Sequence, residues 1–127
     1  MLTQISTKDA PGAVGPYSQA IRCGELLFTA GQIPLDVQTG EIAGSDVTAQ
    51  AHKTLQNLGA VLKAGGADFG TVIKTTCFLT SMADFAAFNE VYGGYFTGDP
   101  KPARSTVAVR ELPRGVLCEV EAVAVVK

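Results

Sequence analysis

The 127-residue sequence predicts an α+β fold, a mixed β-sheet with two helices packed on one face. Three observations predict it. Two stretches carry apolar residues at helical spacing, a β-branched run separates them, and strand-like segments stand at either end of the chain. The order reads β-β-α-β-α-β-β over one domain, residues 1–127, with no internal repeat, low-complexity tract or linker.

Residues 1–16 read as extended chain punctuated by Pro11, Gly12, Gly15 and Pro16. Residues 17–30 form a hairpin, in which Ala20, Ile21 and Cys23 lead into Gly24-Glu25 and Leu26, Leu27, Phe28 and Thr29 return. A two-residue turn with glycine first suits type II′ geometry, which needs a positive φ at that position. Pro34, Gly40 and Gly44 make residues 34–45 a loop. The first helix starts at Val47 and places Ala51, Leu55, Leu58 and Leu62 on one stripe, with Gln50, Lys53, Gln56, Asn57 and Lys63 turned away. Ser45 or Asp46 can cap its start, and Gly65-Gly66 closes it.

A β-branched strand over residues 71–80 follows. Ser81-Met82-Ala83-Asp84 fits a capping box for the second helix, whose stripe is Phe85, Phe88, Tyr92 and Tyr95 with Phe96. Gly93-Gly94 weakens its last turn. Strands over 105–110 and 117–126, joined through a turn at Pro113-Arg114-Gly115, complete the sheet.

Composition narrows the function. A net charge of −2 with only four arginines lacks the basic stripe of a sequence-independent nucleic-acid binder. Cys23, Cys77 and Cys118 are far apart and share no metal-ligand spacing with the single histidine, His52, so a zinc site is not expected. Their apolar or β-branched neighbours predict buried free thiols in a reducing compartment, and the cytoplasm is the default. No run has the length of a membrane span, and the first residues lack the apolar core of a signal peptide. His52 sits on the polar side of the first helix and reads as a solvated residue. Tyr92 and Tyr95, at helical spacing, read as core.

Strand parity supplies the first functional candidates. Pro100-Lys101-Pro102 gives Arg104 a stiff approach, and a guanidinium at a strand mouth is shaped to grip a carboxylate through two parallel hydrogen bonds. In the last strand Cys118, Val120, Ala122 and Ala124 form one face, and Glu119, Glu121, Val123 and Val125 the other. If the helices cover the faces of Val107 and Val120, Arg104 and Glu119 both point to the uncovered side. Val123 and Val125 would then stand in water, which suggests a homo-oligomer. An amphipathic strand with its polar face in solvent accounts for the parity equally well. Tyr17 follows the rigid Gly15-Pro16 turn. Asn89 interrupts the apolar stripe of the second helix and, on its own, reads first as a helix-edge amide in solvent. Gly31 ends a strand either as a simple bulge or turn glycine or where a missing Cβ permits close approach of a ligand.

Gly15-Pro16-Tyr17-Ser18-Gln19, Gly31-Gln32-Ile33-Pro34, Lys74-Thr75-Thr76, Asn89-Glu90-Val91-Tyr92, Pro102-Ala103-Arg104-Ser105 and Glu119-Val120-Glu121-Ala122-Val123-Ala124 occur in this order. Together they resemble the RidA (YjgF) family, the reactive intermediate deaminases. The resemblance implies a chorismate-mutase-like fold and a homotrimer with clefts between subunits. It also implies cofactor-free hydrolysis of 2-enamino and 2-imino acids, such as 2-aminoacrylate and 2-iminobutanoate, to 2-oxo acids and ammonia. On this resemblance Arg104 clamps the substrate carboxylate with help from the Gly31 N–H, and Glu119 holds and polarises the attacking water. Tyr17, Asn89 and Thr106 line the pocket, Tyr17 from a neighbouring subunit. Two positions depart from the family pattern: Ala30 stands where serine is frequent, and Thr106 where cysteine is frequent. The first bears on substrate binding. The second is expected to be tolerated, because that position contributes its backbone carbonyl.

Two other readings compete. A non-catalytic binder of small carboxylates would use the same arginine without needing Glu119, and fold alone does not separate the two. A translation inhibitor or ribonuclease sits poorly with the acidic balance and single histidine.

Overall fold

The computed structural model describes residues Met1–Lys127. Its strands are β1 (Leu2–Ile5), β2 (Ala20–Cys23), β3 (Leu26–Thr29), β4 (Val72–Leu79), β5 (Ala103–Ala108) and β6 (Cys118–Val125). Helix α1 (Val47–Ala64) precedes β4, and α2 (Phe85–Tyr95) follows it. The six strands form one sheet in the order β1-β2-β3-β6-β4-β5, with β4 and β5 parallel and all other pairs antiparallel. The architecture is the predicted α+β one with an added strand, because part of the N-terminal extended segment pairs with β2.

Local chemistry accounts for the elements. Gly24 has φ +62 while Glu25 stays out of the positive region, as a type II′ hairpin requires. The Asp46 carboxylate accepts the Ala49 N–H at 2.8 Å, the cap expected at the start of α1, worth about 1 kcal/mol. At the other end Gly66 adopts φ +85. Its N–H reaches the Lys63 carbonyl and the Ala67 N–H reaches that of Leu62, a Schellman closure. The capping box at Ser81 is half formed. The serine hydroxyl accepts the Ala83 N–H at 3.1 Å in a short 3₁₀ turn, Met82–Asp84, that precedes α2.

The core lies between the helices and one sheet face. Leu55, Leu58, Val61 and Leu62 of α1 and Phe88 and Tyr92 of α2 pack with Leu27, Cys77, Leu79, Val120 and Ala124. Gln50 and Asn57 are buried, not turned away. The Gln50 side-chain oxygen accepts the Leu117 N–H at 2.8 Å, and the Asn57 side-chain amide donates to the backbone carbonyls of Ile33 and Leu35. Both satisfy backbone groups of irregular segments that no ladder reaches. Of the cysteines, Cys77 and Cys118 are buried as expected. Cys23 is exposed, because it precedes the hairpin turn at a strand end that no helix covers.

The opposite sheet face has no covering layer. The register places Leu26 beside Val125 and Phe28 beside Val123 on it, with Val107 farther along. Leu26, Phe28, Val107 and Val125 are 37–46% exposed, more apolar surface than scattered single residues on a sheet normally leave in water.

Register also corrects the parity argument. Thr106 pairs with Cys77, and Cys77 with the buried Val120, so Thr106 and Arg104 share the helix-covered face. Val107 pairs with Phe78, and Phe78 with Glu119, on the open face. Arg104 and Glu119 therefore stand on opposite faces. Counting valines put the wrong side of β5 inward. At this sheet edge the inner face meets the rings of Phe85 and Tyr92, which accept a guanidinium, and not an aliphatic layer.

Candidate active site in two halves

The first half is a cavity of about 540 Å³ that Tyr17, Gly31 and Glu119 line together. Its geometry begins with an irregularity between β3 and β6. Phe28 faces Val123 and Gln32 faces Val120, four steps along one chain segment against three along the other. The extra residue acts as a bulge, a common device beside functional sites. Here the Thr29 hydroxyl takes the Ala122 N–H at 3.0 Å, and Gly31 is carried over the Glu119 carboxylate. A Cβ at Gly31 would overlap that carboxylate. The Gly31 N–H meets no backbone acceptor and remains a free donor beside it.

Glu119 is half-buried, and its carboxyl is raised above the ordinary glutamate value, first by desolvation and then by the charge of Glu121. Such a group is a stronger base when ionised than a solvated glutamate, which suits it to take a proton from water. Two buried amides hold the cavity walls. Gln19 accepts the Thr7 N–H at 2.7 Å and donates to the Pro11 carbonyl at 2.8 Å, fixing the segment that carries Gly12 and Val14. Asn57 fixes Ile33 and Leu35 from the other side. Tyr17 is about half exposed, with its ring against Gly15 and its hydroxyl accepting the Val14 N–H at 3.4 Å.

The second half lies at the β5 edge. Arg104 donates from Nη1 to the Asn89 side-chain oxygen at 2.6 Å, and its guanidinium sits 4.7 Å from the Tyr92 ring centre and 5.5 Å from that of Phe85. Tyr92 is itself fixed by a 2.7 Å bond to the Thr75 hydroxyl and by stacking on Phe96 at 4.3 Å. The guanidinium is thus held flat with donors left for a ligand. Thr106 is the next residue on the same face, and its buried hydroxyl has no partner. Burial pushes the nearby Cys77 thiol up to about 11, so it stays protonated at neutral pH.

The structure therefore brings Tyr17, Gly31 and Glu119 together, and Asn89, Arg104 and Thr106 together, but not the two groups in one chain. Sequence reasoning missed Gln19, Asn57 and Arg114 at the cavity. It read Asn57 as polar and therefore outward, whereas a polar residue one step from an apolar stripe can equally bond the backbone of an adjoining loop.

Changing Gly31 to alanine tests the close approach. The added methyl displaces the end of a flexible side chain and leaves the backbone alone, so the fold persists while Glu119 swings away. The expected result is an unchanged far-ultraviolet circular dichroism spectrum with any Glu119-dependent activity reduced about tenfold to a hundredfold. Full activity in Gly31→Ala would show that the carboxylate position is not restrictive.

Comparison with known proteins adds independent findings. The family model described as Endoribonuclease L-PSP matches residues 7–126. A mouse protein named 2-iminobutanoate/2-iminopropanoate deaminase is 46% identical over 121 residues, 95% of this chain and 89% of its own. The solved structure of the Escherichia coli YjgF gene product matches with a TM-score of 0.93 at 42% identity, over 98% of this chain and 99% of that one. The E. coli TdcF structure with bound serine matches with a TM-score of 0.93 at 45% identity, over 98% and 99%.

Proposed function

The chain belongs to the endoribonuclease L-PSP family, which takes in the RidA (YjgF) proteins, and from that premise we propose that it hydrolyses reactive 2-imino and 2-enamino acids to 2-oxo acids and ammonia. The observation that carries the reading is Glu119. A raised, half-buried carboxyl lines a cavity beside a free backbone N–H, with no side chain between them. The mouse relative named a 2-iminobutanoate/2-iminopropanoate deaminase supports the same substrate class.

The chemistry needs little more than placement. An enamine tautomerises to the imine, whose C2 is already electrophilic. Glu119 takes a proton from a bound water as the water oxygen adds to C2 and the C=N electron pair moves to nitrogen. The protonated Glu119 then delivers that proton to nitrogen, giving the carbinolamine. Glu119 next takes the C2 hydroxyl proton and passes it to the amine; the C–N bond breaks with its electron pair leaving on ammonia, and C2 becomes the carbonyl of the 2-oxo acid. Arg104 grips the substrate carboxylate in a two-point pair, Asn89 holds the guanidinium in plane, and the Gly31 N–H and Tyr17 bound the substrate. Thr106 shapes the floor beside Arg104. No cofactor enters these steps.

Because Arg104 and Glu119 stand on opposite sheet faces, the working site pairs the Glu119 half of one copy with the Arg104 half of another. The exposed apolar side chains of the open face support such an assembly, and a homotrimer with three sites between subunits is the arrangement we propose. No helix is long and apolar enough to cross a membrane. Three free thiols suit a reducing compartment, and the cytoplasm is the proposed location.

The test generates 2-aminoacrylate and 2-iminobutanoate in situ with a dehydratase or an amino-acid oxidase, with semicarbazide present to trap the imine. The protein is expected to outcompete the trap, and Arg104→Ala and Glu119→Ala to fail. A second reading, a binder of small carboxylates, takes support from the serine in TdcF. It is the correct one if trapping is unaffected while 2-oxo acids still bind through Arg104.

The acid limb of activity carries its own prediction. The Glu121 charge helps to raise Glu119, so Glu121→Gln removes one of the two causes. Base catalysis requires ionised Glu119, and activity falls as pH drops through its raised value. In Glu121→Gln the acid limb of the kcat/KM profile is expected at lower pH than in the wild type. An unmoved limb would assign that ionisation to another group.

A further inference from the structure

Resting on the imine-hydrolysis reading, we propose that Arg114 selects substrates whose side chain ends in a second carboxylate, so that dicarboxylic 2-imino acids are preferred among longer ones. Arg114 lines the same cavity as Glu119 and is the one cation that does so. It also lines a shallower groove that continues past Pro11, Gly12 and Leu35 to Lys8, and neither Glu119, Gly31 nor Tyr17 borders that groove. Arg114 therefore marks the end of the cavity away from the reacting centre. The cavity wall includes the apolar side chains of Val14 and Ile33, and Leu35 is shared by the cavity and the groove. A substrate held with C2 at Glu119 directs its methylene chain along that wall and its terminal group toward Arg114.

The side chain is fixed at its root and held at one tip nitrogen, with its remaining donors open. Arg114 has φ +59, between Pro113 and Gly115 at φ +72. A residue with a Cβ holds such a conformation only where its surroundings demand it, which makes a strained arginine a functional candidate. Nη1 donates to the Gly40 carbonyl at 2.8 Å, which aims the group and leaves its other N–H donors open. No acid neutralises it, since the chain's one ion pair joins Lys127 to Asp68. The groove's own acid, Asp36, is turned into its loop and accepts the N–H groups of Gln38 at 2.8 Å and Thr39 at 3.1 Å. Terminal carboxylates are thus met by an unpaired guanidinium, with Lys8 farther along the groove.

The experiment compares kcat/KM for 2-iminoglutarate and 2-iminobutanoate, each made in situ by an amino-acid oxidase, in wild type and Arg114→Gln. Glutamine at this position carries the same backbone cost as arginine, so the change isolates the charge. The expected result is a roughly tenfold fall in the dicarboxylate-to-monocarboxylate ratio, the loss of one charge-assisted hydrogen bond at an open rim. Arg114→Lys should retain part of the preference, and Arg114→Gly, which relieves the backbone, should behave as Arg114→Gln. An unchanged ratio overturns the proposal. So does an equal fall for both substrates, which would place Arg114 on the common carboxylate. Calorimetric binding of 2-oxoglutarate and 2-oxobutanoate separates this inference from the hydrolase reading. Selective weakening of 2-oxoglutarate by Arg114→Gln, in a wild type that hydrolyses neither imine, keeps the side-chain role and removes the enzyme. Hydrolysis of both imines with no dependence on Arg114 does the reverse.

Discussion

Replacing Arg104 with lysine is expected to lower kcat/KM for 2-iminobutanoate by about a hundredfold or more, although the charge is retained. Three features of the native side chain are lost together. The planar fork that meets a carboxylate at two points becomes a single ammonium, and each charge-assisted bond is worth about 1.5–3 kcal/mol. The flat seat 4.7 Å over Tyr92 suits a delocalised cation better than a compact, strongly hydrated one. The 2.6 Å bond to Asn89, which sets the fork's rotation, has no equivalent on a shorter, freely rotating head group. Steady-state kinetics with semicarbazide competition measures the loss, and affinity for 2-oxobutanoate should fall in parallel. Near-normal turnover by Arg104→Lys would remove the clamp role.

The same residue tests the assembly. Arg104→Ala and Glu119→Ala are each expected to be inactive alone. Unfolded together and refolded as a mixture, they should recover activity, because an interface between the two variants can join an intact Glu119 half to an intact Arg104 half. Random pairing makes roughly a quarter of such interfaces complete. No recovery from a mixture shown to form mixed oligomers would argue that the two residues do not meet between subunits.

How much of this was legible in the sequence depends on which physical rule governed each residue. The hairpin at Gly24-Glu25, the cap at Asp46 and the closure at Gly66 obey local rules, and all three appear in the structure as expected. The faces of β6 were also legible, because a central strand under a helix alternates cleanly between buried Val120 and half-exposed Glu119. Strand β5 was not. It lies at the sheet edge, where the inner face is met by aromatic rings and the outer face is apolar, so hydrophobicity points the wrong way. Gln19, Asn57 and Arg114 were invisible for a different reason. Their roles depend on loop carbonyls 8 to 74 positions away in the chain, and no local pattern announces such a partner. The motif resemblance implied a joint role for Arg104 and Glu119, while only the register showed that they stand on opposite faces.

Glu119→Gln should have the largest effect on catalysis, about a thousandfold loss in kcat, and should at the same time make the protein more stable. The first half follows from chemistry: an amide cannot accept the water proton, and removing a placed general base typically costs a hundredfold to ten-thousandfold. The second half follows from the cause of the raised carboxyl. Burial and Glu121 both disfavour the charge, so the folded state binds this proton more tightly than the unfolded chain does. Stability linked to Glu119 is present below the unfolded value of about 4.5 and is lost as pH rises through the higher folded value. At neutral pH the wild type therefore carries an ionised group that its own fold disfavours, and glutamine of nearly the same shape removes that burden. Thermal unfolding of the two proteins across pH should give a higher Tm for Glu119→Gln at neutral pH, with the gap narrowing as the solution is acidified. If the variant is inactive and also less stable at neutral pH, Glu119 is held by a favourable interaction as an anion, and the strained-base account fails. If it is more stable yet still active, Glu119 is not the base. Only the combination of lost turnover and gained stability fits a carboxylate kept in an unfavourable place for the sake of the reaction.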